Sequence, residues 1–308
     1  MQNAQKFFAS FFQKRSPSFW CPTSPDDTEL CVGLVTSGVA FLDNDKYVVF
    51  PTDQKTQAYA LFDVINATTG VVFHRQSITG QFERLAHPNE RAYDIAVSPD
   101  QSTVAVSTQS DRSVYILDTA NWAIRWVYRA PVHTGVSAMA FSPDGAHFAM
   151  GFWNGSVVIA TIGNSVSTHM MPGFGGAPGV SLSVGCIAFR PDSNQILIGS
   201  GIGNYMNPEA AEESAEQRIL DIESGEVVVK KATSSSLIRA AAWTQGGRHV
   251  WFVDGTPRLF RWRAGHRDSQ LDSFALPGRT MSLAVANDGI RMAVTVGHSV
   301  RVFDIANR

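Results

Sequence analysis

The chain has 308 residues, is 44% hydrophobic and only 17% charged, and carries a formal charge of -2. That composition belongs to an ordinary globular protein; it excludes a disordered chain and gives no electrostatic footing for nucleic acid as the main partner. Three cysteines, Cys21, Cys31 and Cys186, are too few and odd in number for a disulfide framework, so a reducing, cytoplasmic setting is expected.

At the N-terminus, residues 1–25 hold no acid but carry Lys6, Lys14 and Arg15 around "FFASFF". Phe7, Phe8, Phe11 and Phe12 would share one side of a helix. The apolar core is too short for a secretory signal. Residues 1–17 are therefore read as a separate amphipathic segment that packs on the main domain. Docking onto a membrane surface or partner, and mitochondrial targeting, are the two alternatives. No apolar run in the chain approaches the roughly 18 residues of a membrane-spanning helix.

From residue 35 onward one unit recurs. Its openings are "VAFLDND" at Ala40, "IAVSPDQ" at Ala96, "MAFSPDG" at Ala140, "IAFRPDS" at Ala188, "AAWTQGG" at Ala242 and "LAVANDG" at Ala284. The spacings are 56, 44, 48, 54 and 42 residues. Within each copy, short runs rich in Val, Ile, Phe and Ala are cut by Asn, Asp, Gly and Pro, which is the period of strands. In Ser-Pro-Asp-Gly the proline presets φ, the aspartate can bond its own backbone and the glycine accepts positive φ, so each such stretch is a turn. The third run of most copies ends in an apolar residue and an acid before another turn: "LFDVINATTG", "YILDTANWA", "RILDIESGE" and "RVFDIANR". Ala160-Thr161 and Phe260-Arg261 replace the acid in the other two.

Repeats of this length with about four strands each predict a β-propeller. The pattern resembles the WD40-repeat family. "SDRSVYILD" (110–118) and "DGTPRLFR" (254–261) match that family's approach to the third strand; "AHPNERAYDIAVSPD" and "HTGVSAMAFSPDG" match its passage from histidine to Ser-Pro-Asp. The resemblance covers roughly residues 35–308 and is degenerate. Phe62, Leu117, Leu220, Phe260 and Phe303 stand at the family's Trp position. A histidine–aspartate network like the family's is complete only with His87 and Asp111. His133 faces Asn154 instead of an acid, and Asp254 lacks an upstream histidine. These four residues are read as structural groups that fix loops.

The expected fold is thus all-β: a single closed propeller of four-stranded blades over residues 18–308, with six countable repeats and room for six or seven blades. The last copy stops at Arg308 after its third strand. An N-terminal strand from residues 18–34, "SFWC" or "ELCVGL", would close the ring and remove the open edge.

One face of such a disc collects the turns between second and third strands and the links between blades. The resemblance makes that the binding face. "GFWNGS" places Phe152 and Trp153 at a tight turn there, and a tryptophan at a loop tip is a hot-spot candidate. Arg112 and Tyr205 lie in corresponding loops. "HMMPGFGGAPGVS" (169–181) contributes Met170 and Phe174. In "GIGNYMNPEAAEESAEQ", Asn207 as cap, Pro208 and Glu209 predict a short acidic helix near 208–215. "PRLFRWRAGHRD" holds four arginines, but alternation puts Arg258 opposite Arg261 and Arg263, so it forms no continuous patch.

Catalysis finds little footing. The channel positions that open the first strands are Gly38, Asp94, Ala138, Cys186, Ala240 and Ser282; one aspartate cannot supply the six to eight oxygens of a calcium site. The eight histidines show no short metal spacing, and there is no Gly-x-Ser-x-Gly elbow. The expectation is a non-enzymatic scaffold or assembly subunit without a cofactor, whose partners are other proteins. The alternative is a propeller hydrolase or small-ligand binder using the channel near Asp94.

Overall fold

A computed structural model describes residues 28–31, 39–42, 46–51, 60–66, 69, 71–77, 92–108, 112–129, 134–162, 167–171, 174, 182–202, 215–234, 237–244, 246–264, 271–286, 289–297 and 299–305. Regular structure among them is entirely strand. No helix there is long and apolar enough to cross a membrane.

After β1 (Thr28–Cys31) the strands follow in fours. The first four are β2 (Ala40–Leu42), β3 (Tyr47–Pro51), β4 (Ala60–Asn66) and β5 (Val72–Ser77). Next come β6 (Ala92–Val97), β7 (Thr103–Thr108), β8 (Ser113–Asp118) and β9 (Ile124–Arg129), then β10 (Val136–Phe141), β11 (His147–Phe152), β12 (Val157–Thr161) and β13 (Ser167–Met171). The fourth set is β14 (Leu182–Phe189), β15 (Gln195–Ile202), β16 (Ala215–Asp221) and β17 (Val227–Ser234). The fifth is β18 (Ala240–Trp243), β19 (His249–Val253), β20 (Arg258–Arg263) and β21 (Asp272–Ala275). Last are β22 (Thr280–Val285), β23 (Arg291–Val296) and β24 (Ser299–Asp304).

Each set of four is one antiparallel meander. β22, β23 and β24 form a further sheet whose fourth member is β1, in register from Thr28↔Val302 to Cys31↔Ser299. The innermost strands β2, β6, β10, β14, β18 and β22 touch in succession, and β22 touches β2. The sheets therefore stand radially around a channel, as blades of a propeller.

Blades cohere by burying apolar faces against each other, with one core cluster at each junction. Phe62, Val64, Val104 and Leu117 join the first two sheets; Phe41 and Ile65 meet Ala293 and Val300 where the last sheet meets the first. Strands inside a blade have neighbours on both faces, so they read as continuous apolar runs. All of β7 is buried, whereas four of the five residues of the outer strand β13 are exposed. The residues at the family's Trp position serve these junctions. Phe62, Leu117, Leu220 and Phe303 are buried, and Phe260 stacks on Phe252 at 4.9 Å.

The Ser-Pro-Asp turns are held by a reciprocal bond. Ser142 Oγ donates to Asp144 Oδ1 at 2.5 Å and accepts from the His147 amide at 2.8 Å. Ser98 and Asp100 repeat the arrangement. Gly145 supplies the positive φ of the third copy; Gln101 and Ser193 take the same left-handed conformation without glycine in theirs. The acids that end third strands also have structural partners. Asp63, 3% exposed, takes two bonds from Arg75 at 2.7 and 2.6 Å. Asp118 pairs with Arg125, and Asp221 caps Ser224 at 2.8 Å.

Candidate functional site

Every inner strand begins on the same face of the disc. That face collects the turns between second and third strands and the links from one blade to the next. The channel runs along the inner strands, with a volume of about 410 Å³ and walls built from β6, β10, β14, β18 and β22 together with Val39, Pro143, Pro191 and Gly289.

The inner strands do not open regularly. In β6 the register slips between Ala92 and Ile95, in β10 between Val136 and Ala138, in β14 between Val184 and Cys186, and in β22 between Thr280 and Leu283. A bulge leaves amides out of the ladder and re-aims side chains. In β6 and β22 a buried hydroxyl on the second strand takes up those amides. Ser107 Oγ accepts from the Asp94 amide at 3.0 Å; Thr295 Oγ1 accepts from Met281 and Ser282 at 3.1 and 2.8 Å. Ser107→Ala is accordingly expected to cost about 1.5 kcal/mol. Urea denaturation checks this, and a loss below about 0.3 kcal/mol would mean the bulge amide finds another acceptor.

Tyr93 and Asp94 sit in the β6 bulge. Asp94 Oδ2 accepts from the Met139 amide of the next blade at 2.8 Å. Burial pushes its carboxyl up to about 7, against the bonds from the Ile95 and Met139 amides that favour the ionised form. Across the wall, burial pushes the Cys186 thiol up to about 12. Arg239 and Ser282 complete the polar lining, and the rest is mostly Ala, Val, Ile and Leu. Among the described residues no group of three His, Cys, Asp or Glu could hold a metal ion.

On the rim, Trp153 is held as a platform. Its amide donates to Gly135 O at 3.1 Å, and its indole edge lies 3.4 Å from where a Gly135 Cβ would be. Its ring meets Tyr93 of the preceding blade at 5.4 Å and 55°. It remains 38% exposed.

The other expected contact residues divide. Arg112 is exposed at the turn into β8, and Met170 is 66% exposed on β13. Phe152 and Phe174 are corrected. Phe152 is 1% exposed, because alternation along β11 aims it with Phe148 and Met150 into the junction with the second blade. Phe174 is 3% exposed; its amide bonds Gly155 O, its ring fills the junction between the third and fourth blades, and the Arg218 guanidinium covers it at 4.6 Å. Adjacent aromatic residues thus split, one to the core and one to the rim.

Of the loop network, Asp254 accepts from the Thr256 amide and hydroxyl at 3.0 and 2.5 Å. Asn154 does the same for Ser156 at 3.1 and 2.6 Å. His87, Asp111, His133, Tyr205, the expected helix through residue 214 and the Phe-rich N-terminus lie outside the described residues; Ala215 already belongs to β16. Sequence reasoning missed Arg239 as a channel residue. It is the residue before Ala240, and its lateral place in the wall comes from the inter-blade link that precedes β18.

Residues 126–159 match the family model for the WD domain, G-beta repeat. They run from the outer strand of the second sheet through the third strand of the next. No curated protein sequence matches the chain. Among solved structures it is similar to the Cps50 (Swd1) β-propeller domain of Myceliophteria thermophila, with a TM-score of 0.60 and 10% identity over 91% of this chain and 100% of that one. At that identity the likeness shows the fold alone. The chain carries a WD40 repeat and has the architecture of a β-propeller.

Proposed function

We propose that this WD40-repeat propeller is a non-enzymatic binding module, a scaffold or assembly subunit that holds another protein on the face that carries the turns between second and third strands. In this reading it is a six-bladed disc closed by β1 and working in a reducing, cytoplasmic setting. The observation that carries it is Trp153: a large aromatic ring fixed by a backbone bond and a neighbouring ring, yet left more than a third in water. Such rigid, half-exposed aromatics supply binding energy at small entropic cost. Arg112 and Met170 add a charge and an adaptable apolar contact. A WD40 fold is typical of interaction scaffolds, and a rigid disc with loops at its rim suits the role.

Affinity purification from the native cell with Trp153→Ala beside the wild type tests the proposal. A stoichiometric partner should fall at least about tenfold in the variant while the melting temperature is unchanged, the loss expected of a hot spot. Full retention by the variant would move the contact off this face. Absence of any partner from the wild type would overturn the module itself.

A further inference from the structure

Val71, Val72 and Phe73, at the start of β5, are 60%, 46% and 62% exposed, the longest run of large apolar residues left in water among the described residues. The Phe73 ring is held all the same, stacked on Tyr47 at 4.5 Å and 30°. β5 is the outer strand of its sheet, so the run also presents an unpaired edge, a template for aggregation unless something covers it. The seam beside it is thin. Among the described residues the core cluster where the last sheet meets the first has six buried members and every other cluster at least nine, so this seam has the most to gain from further apolar burial.

The chain itself supplies a cover. β1 runs antiparallel to β24, from Thr28↔Val302 to Cys31↔Ser299, so residues 1–27 reach Thr28 from the face that carries the turns after first and third strands. Val71 ends the turn after β4 and lies on that same face, one sheet along, since β22 touches β2. Fifteen residues separate Phe12 from Thr28. Extended, they span up to about 50 Å, where a four-stranded sheet is about 15 Å across.

We infer that residues 7–12 dock on the outer edge of the first sheet, with Phe7, Phe8, Phe11 and Phe12 over Val71, Val72 and Phe73. Four phenylalanines leave water more readily than they enter it, and the held Phe73 ring offers them offset and edge contacts. Charge agrees with this placement. The segment carries Lys6, Lys14 and Arg15 and no acid through residue 25, and its face of the disc carries the turn carboxylates of Asp100, Asp144 and Asp221. β1 pairs with the last sheet while the phenylalanines hold the first, so one stretch of chain ties both sheets across the thin seam. The contact lies on the face opposite Trp153 and does not depend on the scaffold reading.

The test is photocrosslinking of the full chain with p-benzoylphenylalanine in place of Phe11. After irradiation and trypsin digestion, the crosslinked peptide should be the one that holds Val71–Arg75, joined within a single chain. Phe73→Ser should cut that yield at least about fivefold, while Val227→Ser on the fourth sheet leaves it unchanged. Both positions are exposed, so both variants fold. Phe8→Ser with Phe11→Ser should lower the melting temperature by about 2 °C, and adding Phe73→Ser to that pair should lower it little further. Crosslinks between two chains, to the peptide holding Val227 and Val228 or to no defined peptide, a yield indifferent to Phe73→Ser, or fully additive melting losses overturn the inference. The Trp153→Ala purification reads the opposite face, so the two proposals fail separately.

Discussion

Gly185→Ala will lower stability by about 3 kcal/mol, at the upper end of what overpacking a close contact costs. Gly185 lies in the β14 bulge, where the backbone of the next blade passes against it. A Cβ there would overlap the Ile238 carbonyl oxygen and come within 2.8 Å of Leu237 Cδ1 and 3.0 Å of Ile238 C. The first and third of these are backbone atoms of the link that places β18, and Ile238 is itself buried. Neither blade can retreat without opening its junction, so the strain cannot be relieved by a rotamer change. The melting temperature should fall by roughly 4–6 °C. Gly246→Ala is the control, because a Cβ there meets nothing within 4 Å. It should shift the midpoint by less than about 0.5 kcal/mol. Equal stability of the two variants would show that the fourth and fifth blades separate freely at this point.

Asp94→Asn will stabilise the protein markedly at pH 8 and by only about a third as much at pH 5. The folded carboxyl is raised to about 7 while the unfolded one ionises near its ordinary value, chiefly because burial disfavours the charge. A raised folded value means that the group's contribution is fully present below the unfolded pKa. It is lost as pH climbs through the folded one. Wild-type stability should therefore decline between about pH 4 and pH 8 by on the order of 2 kcal/mol from this group, a figure reduced for water reaching it through the channel. Asparagine keeps an oxygen for the Met139 amide and removes the charge. Urea denaturation of both proteins at pH 5 and pH 8 isolates the effect, since every other titrating group cancels in the difference. A difference independent of pH would mean that the Asp94 carboxyl is not the group being dehydrated.

These two predictions sit at residues with opposite legibility. Asp94 could be marked as a channel residue from its place in the repeat, because the copies align Asp94 with Ala138, Cys186 and Ser282. Its chemistry could not be read, since the shift depends on Met139 of the next blade and on the wall around it. Gly185 carries no pattern at all. Only the approach of Ile238, 53 positions along the chain, makes that glycine obligatory.

The same division runs through the rim. "GFWNGS" announces a turn with two large rings, and strand alternation requires them to part. Which ring is buried depends on which face of β11 meets the second blade. That face takes Phe152 and leaves Trp153 over Gly135 beside Tyr93. Phe174 looked like an exposed ring on a long loop; an open junction and the Arg218 guanidinium claim it instead.

By itself the sequence determined what is local and periodic: strand runs, Ser-Pro-Asp turns whose side chains bond their own backbone, and a repeat long enough for four strands. Those depend on neighbours within a few positions, so any copy displays them. Tertiary structure decided what depends on distant segments meeting: which ring fills a junction, which glycine admits a passing backbone, and which blade's amide holds a buried carboxylate. Side-chain burial and hydrogen bonding depend on distance in space, and a chain that closes on itself brings together residues such as Asp94 and Met139 that no local pattern connects.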